Sequence, residues 1–110
     1  MKFSSELLKG STKNLILATL SKHEMYGYEI IKSIRNQSDD LINLGEGSIY
    51  PALHELEKND FLTSRWAKQE NDAPDRKYYH LTKKGKKALG IAKKEWGLFS
   101  GAVNTIYQTV

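Results

Sequence analysis

The sequence predicts a mainly α-helical chain with one small β-hairpin (an α+β fold), and three observations carry that prediction. Three short segments with apolar stripes fill the first half, two β-leaning runs joined by turn residues follow, and a heptad-spaced apolar seam runs to the end. With 110 residues, the chain has enough apolar surface for one modest core and too little for a two-lobed enzyme with an interdomain cleft. Residues 1–82 are expected to form the head and residues 83–110 a helix that projects from it, the two making one structural unit.

Gly10-Ser11-Thr12 reads as a breaker followed by cap residues, opening a short helix through Leu15, Ile16, Leu17, Ala18 and Leu20. His23 to Tyr26 reads as a connection. Gly27 to Arg35 forms a second helix with Ile30, Ile31 and Ile34 on one face. Asn36 to Gly47 is polar, acidic and holds two glycines, so it reads mostly as loop, with Leu41, Ile42 and Leu44 tucked inward.

Ser48 is placed as the N-cap of a third helix, and Pro51 in its first turn, where the missing N–H has no helical partner anyway. This helix runs to about Lys58. Ile49, Leu53 and Leu56 make its buried stripe, which turns Ser48, Pro51, Glu55 and Lys58 outward and puts Tyr50 and His54 on the flanks. Asn59-Asp60 stops it, since both residue types tolerate a left-handed C-terminal cap.

Phe61 to Lys68 and Arg76 to Leu81 are the β-leaning runs, joined by Gln69 to Asp75. Tyr78 and Tyr79 alternate in direction, so one of them packs inward, and Trp66 is assigned to hairpin packing. Thr82 caps the last helix, along which Leu89, Ala92, Trp96, Phe99, Val103, Ile106 and Val110 recur at alternating steps of three and four. Ile91, Leu98 and Ala102 widen that apolar arc beyond what one small domain can cover. Pairing with a second copy of the chain is the expected use of Leu89, Trp96, Phe99, Val103, Ile106 and Val110.

Charge and composition narrow the function. Lys and Arg number 17 against 13 Asp and Glu, and ten of the basic residues face only four acidic ones between Phe61 and Glu95. A polyanionic partner fits this imbalance. The chain has no Cys, which excludes a disulfide scaffold, a thiolate metal site and a cysteine nucleophile. His23, His54 and His80 are scattered, H-E-x-x-H and phosphate-loop patterns are missing, and Gly45-Glu46-Gly47 lacks a dinucleotide fingerprint's setting. No enzyme, cofactor or metal is expected. The start lacks the apolar core of a signal peptide, and the uncharged stretch from Trp96 carries Asn104 and Gln108. A cytoplasmic protein without a membrane segment is the expectation.

Three helices, a hairpin and a further helix are the parts of a winged helix-turn-helix, whose third helix enters the major groove while the wing reaches the neighbouring backbone or minor groove. Four motifs narrow this further. Tyr26-Gly27-Tyr28-Glu29-Ile30, Gly47-Ser48-Ile49-Tyr50-Pro51-Ala52-Leu53-His54, Leu56-Glu57-Lys58 and Arg76-Lys77-Tyr78-Tyr79-His80-Leu81-Thr82-Lys83-Lys84-Gly85 resemble the PadR-type bacterial transcriptional regulators in order and spacing. The length resembles the small subfamily with a single C-terminal dimerisation helix. That resemblance implies a homodimeric winged-helix protein, usually a repressor released by a small molecule. The chain departs from the family pattern at Glu55, where a basic residue is common, and at Asp60, where Gly is common.

Ser48, Tyr50 and His54 on the third helix are the base- and phosphate-contact candidates. Lys68, Arg76 and Lys77 of the wing are assigned to phosphates, Arg76 also to the minor groove, and Lys13 and Asn14 of the first helix to the backbone of double-stranded operator DNA. Arg65 lies further from the wing tip and covers the hairpin; Lys83, Lys84, Lys86 and Lys87 form a solvated face. Some short PadR-like regulators hold planar aromatic compounds between paired tryptophans, and Trp96 matches that position. Leu8, Leu15, Ala92, Ser100 and Val103 are its expected walls, with a planar aromatic or phenolic effector as ligand. The competing assignment, favoured by Glu55 and the acidic loop, is a winged-helix protein–protein interaction module without DNA binding.

Overall fold

The computed structural model describes residues 2–110. The elements are α1 (Ser5–Leu20), β1 (Met25–Tyr26), α2 (Gly27–Gln37), α3 (Glu46–Lys58), β2 (Leu62–Ala67), β3 (Arg76–Leu81) and α4 (Lys83–Tyr107). The sheet is antiparallel with order β1-β3-β2. Leu62 pairs with Leu81 and Ala67 with Arg76 across the hairpin, while Met25 and Tyr26 pair with Tyr79 and Tyr78. This is a winged helix with a long C-terminal extension.

Every element of the head supplies the core. Ile16, Leu17 and Leu20 of α1 meet Ile30, Ile31 and Ile34 of α2, Ile49, Leu53 and Leu56 of α3, and Leu62, Tyr79 and Leu81 of the sheet. Ala88 and Leu89 of α4 rest against it. Beyond them α4 runs on past α1 and projects from the head, and the molecule is 58 Å long but only 21 Å thick.

Several local expectations are corrected. Gly10 does not break a helix: α1 starts at Ser5, capped by the Ser4 hydroxyl accepting from Leu7 N–H, and runs through Gly10 without interruption. Lys13 and Asn14 are therefore mid-helix. Buried Thr12 and Thr19 donate their hydroxyls to Leu8 and Leu15 carbonyls one turn back, which satisfies them inside α1. The expected connection at Met25-Tyr26 is a third strand, and α2 extends to Gln37. Leu44 is buried, but Leu41 is half exposed.

Helix α3 begins earlier than its cap signal suggested. Gly45 is the N-cap, Ser48 is the third helical residue, and Pro51 lies inside the helix. The carbonyl that Pro51 cannot donate to belongs to exposed Gly47, where water can serve it. The end of α3 matches expectation. Asp60 takes a left-handed φ of 64°, Phe61 N–H donates to Leu56 O and Asp60 N–H to Glu57 O, a Schellman arrangement with aspartate in the glycine position.

Thr82 does cap α4, accepting from Gly85 N–H at 3.0 Å while donating to Asp60 O at 2.6 Å. Gly85 is fixed by packing: a Cβ there would collide with the Phe61 carbonyl. The helix ends at Tyr107, so Val110, expected in its seam, lies beyond it.

Candidate functional site

Helix α3 presents Glu46, Ser48, Pro51, His54, Glu55 and Lys58 to solvent, because Ile49, Ala52, Leu53 and Leu56 hold its other side in the core. Ser48 and His54 are thus displayed as expected. Tyr50 is turned partly inward, and its ring lies against the first residue of α2. A Cβ on Gly27 would come within 2.6 Å of that ring, so only glycine permits the contact. Burial pushes the Tyr50 phenol above the usual tyrosine range, with Glu46 adding to the effect. It stays a neutral hydroxyl at physiological pH.

The wing joins α3 through a polar seam. Glu57 accepts from the Ser64 hydroxyl at 2.5 Å and pairs with Lys77 at 3.2 Å. The Ser64 hydrogen bond, aided by Lys77, holds the Glu57 carboxyl below its usual range despite partial burial. Strand alternation puts Lys77 on the same sheet face as Trp66, Tyr79 and Leu81, the face turned to α3. Its ammonium lies 5.4 Å from the Tyr79 ring centre and 5.9 Å from that of Trp66. Lys77, assigned from sequence to phosphate, is paired with α3 in the free chain. Trp66, assigned to hairpin packing, is 66% exposed.

The opposite sheet face is a ladder of stacked cations and rings. Arg65 grips Glu24 with three hydrogen bonds of 2.6–3.1 Å and lies over the Tyr78 ring. Tyr78 meets Tyr26 edge-on at 5.5 Å, and the Arg76 guanidinium sits 4.4 Å from the Tyr26 ring centre. Arg65 therefore reaches beyond the hairpin to tie it to the segment before α2. Arg76 and Lys68 remain exposed on the wing. A guanidinium stacked on a ring keeps its donors pointing outward in a restricted orientation, as phosphate or groove contact requires.

Lys13 and Asn14 diverge around α1. Lys13 pairs with Glu55 of α3 at 2.7 Å, whereas Asn14 lines a groove of about 690 Å³ between α1 and α4. Leu15, Ala92 and Trp96 also line this groove, together with Leu7, Phe99 and Ile42. Leu8, Ser100 and Val103, the other expected walls, lie outside it. Trp96 and Phe99 are both more than half exposed, their ring centres 6.3 Å apart. Leu89, expected in the pairing seam, is partly buried against its own head.

Glu57 and Glu24 are the site residues that sequence reasoning missed. Glu24 meets Arg65, and Glu57 meets Ser64 and Lys77, only through the docking of separate elements, so no spacing within one element announced them. For Glu57 the nearest signal was Leu56-Glu57-Lys58, a motif with a charged residue beside a core position; Glu24 had none.

Residues 16–91 match the sequence profile of the Transcriptional regulator PadR-like family. The fold is similar to that of a transcriptional regulator from Clostridium thermocellum, with a TM-score of 0.84 and 33% identity over 92% of this chain and 97% of that one. It is also similar to a PadR family transcription regulator from Clostridium difficile R20291, with a TM-score of 0.77 and 35% identity over 89% of this chain and 99% of the other. Fifty-six residues are 36% identical to Transcriptional regulator YqjI of Escherichia coli K12, spanning 51% of this chain and 27% of that longer protein.

Proposed function

Because the chain belongs to the PadR-like family, whose members are transcriptional regulators and not enzymes, we propose that it is a cytoplasmic, homodimeric, DNA-binding transcriptional repressor, released by a planar aromatic or phenolic effector. The observation that carries the dimer is the exposed apolar side of distal α4, where Trp96, Phe99 and Ile106 are each 58–66% exposed. A second copy covering that side holds two heads at a fixed separation, which a palindromic operator needs. In each head, Ser48, His54 and the hydroxyl of Tyr50 face the major groove. Lys68 and Arg76 of the wing take the neighbouring backbone, with Lys13 at the α1 edge. Among the described residues no helix is long and apolar enough to cross a membrane.

The effector reading rests on the groove between α1 and α4. Its apolar walls and the flat indole of Trp96 suit a planar ring, and Lys93 offers a phenolate one cation beside the carboxylates of Glu6 and Glu95. Because the groove joins the head to the pairing helix, a ligand wedged there changes the separation of the two heads.

A mobility-shift titration of the DNA upstream of the chain's own coding region, repeated across salt concentrations, tests the reading. Each phosphate neutralised contributes about −0.9 to the slope of log K against log salt. Arg76→Ala is expected to weaken binding to every sequence and to flatten the slope by about one unit per head. A planar phenolic compound added to the same titration releases the DNA. Salt-independent binding, or no binding at all, defeats the proposal.

A further inference from the structure

The reading face of α3 carries a carboxylate where it would meet a polyanion. Glu55 lies one helical turn beyond Pro51 on the exposed stripe that also holds Ser48 and Lys58, and 56% of its side chain is open to solvent. Near phosphates an uncompensated carboxylate is repelled. Here it is compensated by the Lys13 ammonium of α1, 2.7 Å from Oε1. As a contribution to stability, such an exposed pair is small, about 0–1 kcal/mol. Its geometry matters more. Lys13 cancels the charge from the α1 side and fixes one oxygen, leaving the lone pairs of Oε2 for a donor approaching the outward face of α3.

In the major groove, one base presents a donor without a neighbouring acceptor that repels a carboxylate: cytosine, through its N4 amino group. Guanine offers only acceptors there, thymine an acceptor and a methyl group, and adenine an acceptor beside its donor. We propose that Glu55 is a specificity-determining residue that selects cytosine at one position of each half-site, with Lys13 as the residue that positions and neutralises it. This rests on the DNA-binding reading of the fold. Ser48 and His54 accept a wider range of edges, since hydroxyl and imidazole groups both donate and accept. Glu55 only accepts, so it both selects one base and penalises the others, a form of discrimination built on repulsion as much as attraction.

The test is selection of bound duplexes from a pool of randomised DNA by the full-length chain and by Glu55→Ala, Glu55→Gln and Lys13→Ala. The unsubstituted chain is expected to enrich a two-fold-related motif with one strongly preferred C·G pair per half-site. Glu55→Ala keeps the other positions of the motif and loses that one. Glu55→Gln, whose amide donates and accepts, shifts the preference there toward adenine. Lys13→Ala keeps the preferred base but lowers affinity for every sequence, and it costs less in the Glu55→Gln background, where no carboxylate is left to neutralise. An equal cost in both backgrounds overturns the neutralising role of Lys13.

Titrations on single duplexes give the magnitude. Changing the selected C·G to T·A lowers the affinity of the unsubstituted chain on the order of tenfold, and that of Glu55→Ala by less than about twofold. A motif retained unchanged by Glu55→Ala overturns the inference while leaving DNA recognition intact. A pool from which the unsubstituted chain enriches nothing overturns the DNA-binding reading and this inference with it. Because Glu55 lies on the surface, its variants fold, and circular dichroism of each confirms that base preference is what changed.

Discussion

Leu53 of α3 and Phe99 of α4 are both large apolar side chains on the inner stripe of an amphipathic helix, yet Leu53 is completely buried and Phe99 is 60% exposed. The same contrast holds along each helix. Ile49, Ala52 and Leu56 join Leu53 in the core, whereas Ile91, Trp96, Leu98 and Ile106 share the exposure of Phe99. In the head, each apolar stripe finds its complement within the chain, because α1, α2, α3 and the sheet each offer one face. Past Leu89, α4 meets its own chain only along the groove it shares with α1, and most of its apolar side stays uncovered. The head therefore specifies itself, and the distal helix leaves an apolar side that the proposed pairing with a second copy would cover.

The proposed pairing predicts the largest effect in the molecule. Phe99→Asp combined with Ile106→Asp places two carboxylates per helix in the seam, each of which must lose its hydration on association. Association should weaken by more than about a thousandfold, so that sedimentation at micromolar concentration changes from dimer to monomer. The dispersion of amide signals from the head should survive in a heteronuclear NMR spectrum. If the unsubstituted chain sediments as a monomer, the contrast between the regions has another cause.

A substitution on the other side of the comparison should act in the opposite sense. Leu53→Ala leaves a cavity under α3 and costs about 2–5 kcal/mol, read as a lower urea midpoint for the head. Below the unfolding transition, the dimer dissociation constant should stay within about threefold of the original. A large change in association without loss of stability would mean that the two regions are not separable.

The same division separates what could be read from the sequence from what could not. Ile30, Ile31, Ile34, Ile49, Leu53 and Leu56 were legible because helical periodicity is local, and β3 was located to the residue by its alternation and its flanking turn. The start of α3 was not. Ser48 and Pro51 together imitate a cap and first turn, but burial of Leu44 and Ile49 on either side draws Gly45 into the cap position, and the helix winds through both residues. Strand β1 has only two residues and exists because β3 offers it an edge. At the site, Lys77 and Arg76 were both assigned to phosphate, and nothing in their spacing said that Glu57 waited on one side and the Tyr26 ring on the other. Such pairings depend on how elements dock, and docking leaves no trace in the spacing of residues along one element.

The Glu57 seam gives the smallest and most specific prediction, because it lies wholly within the head and should leave the distal helix untouched. In the folded chain, its carboxyl is held below the usual range, first by the Ser64 hydroxyl and then by Lys77, with His54 adding in the same direction. In the unfolded chain, a glutamate titrates near about 4.3. A carboxyl with a depressed folded value contributes stability fully above the unfolded value and loses it as pH falls through the folded one. Glu57→Gln keeps an acceptor for Ser64 but removes the charge that holds Lys77. At neutral pH the variant should be less stable by about 0.5–1.5 kcal/mol. By pH 3 the gap should narrow, since protonation of Glu57 weakens the same attraction in the unsubstituted chain. Urea midpoints at pH 7 and pH 3 measure both gaps. A gap that is constant with pH would locate the effect in side-chain shape instead of charge. The sedimentation of Glu57→Gln should match that of the unsubstituted chain throughout, because the seam that joins α3 to the wing ends well short of the helix proposed to join the two copies.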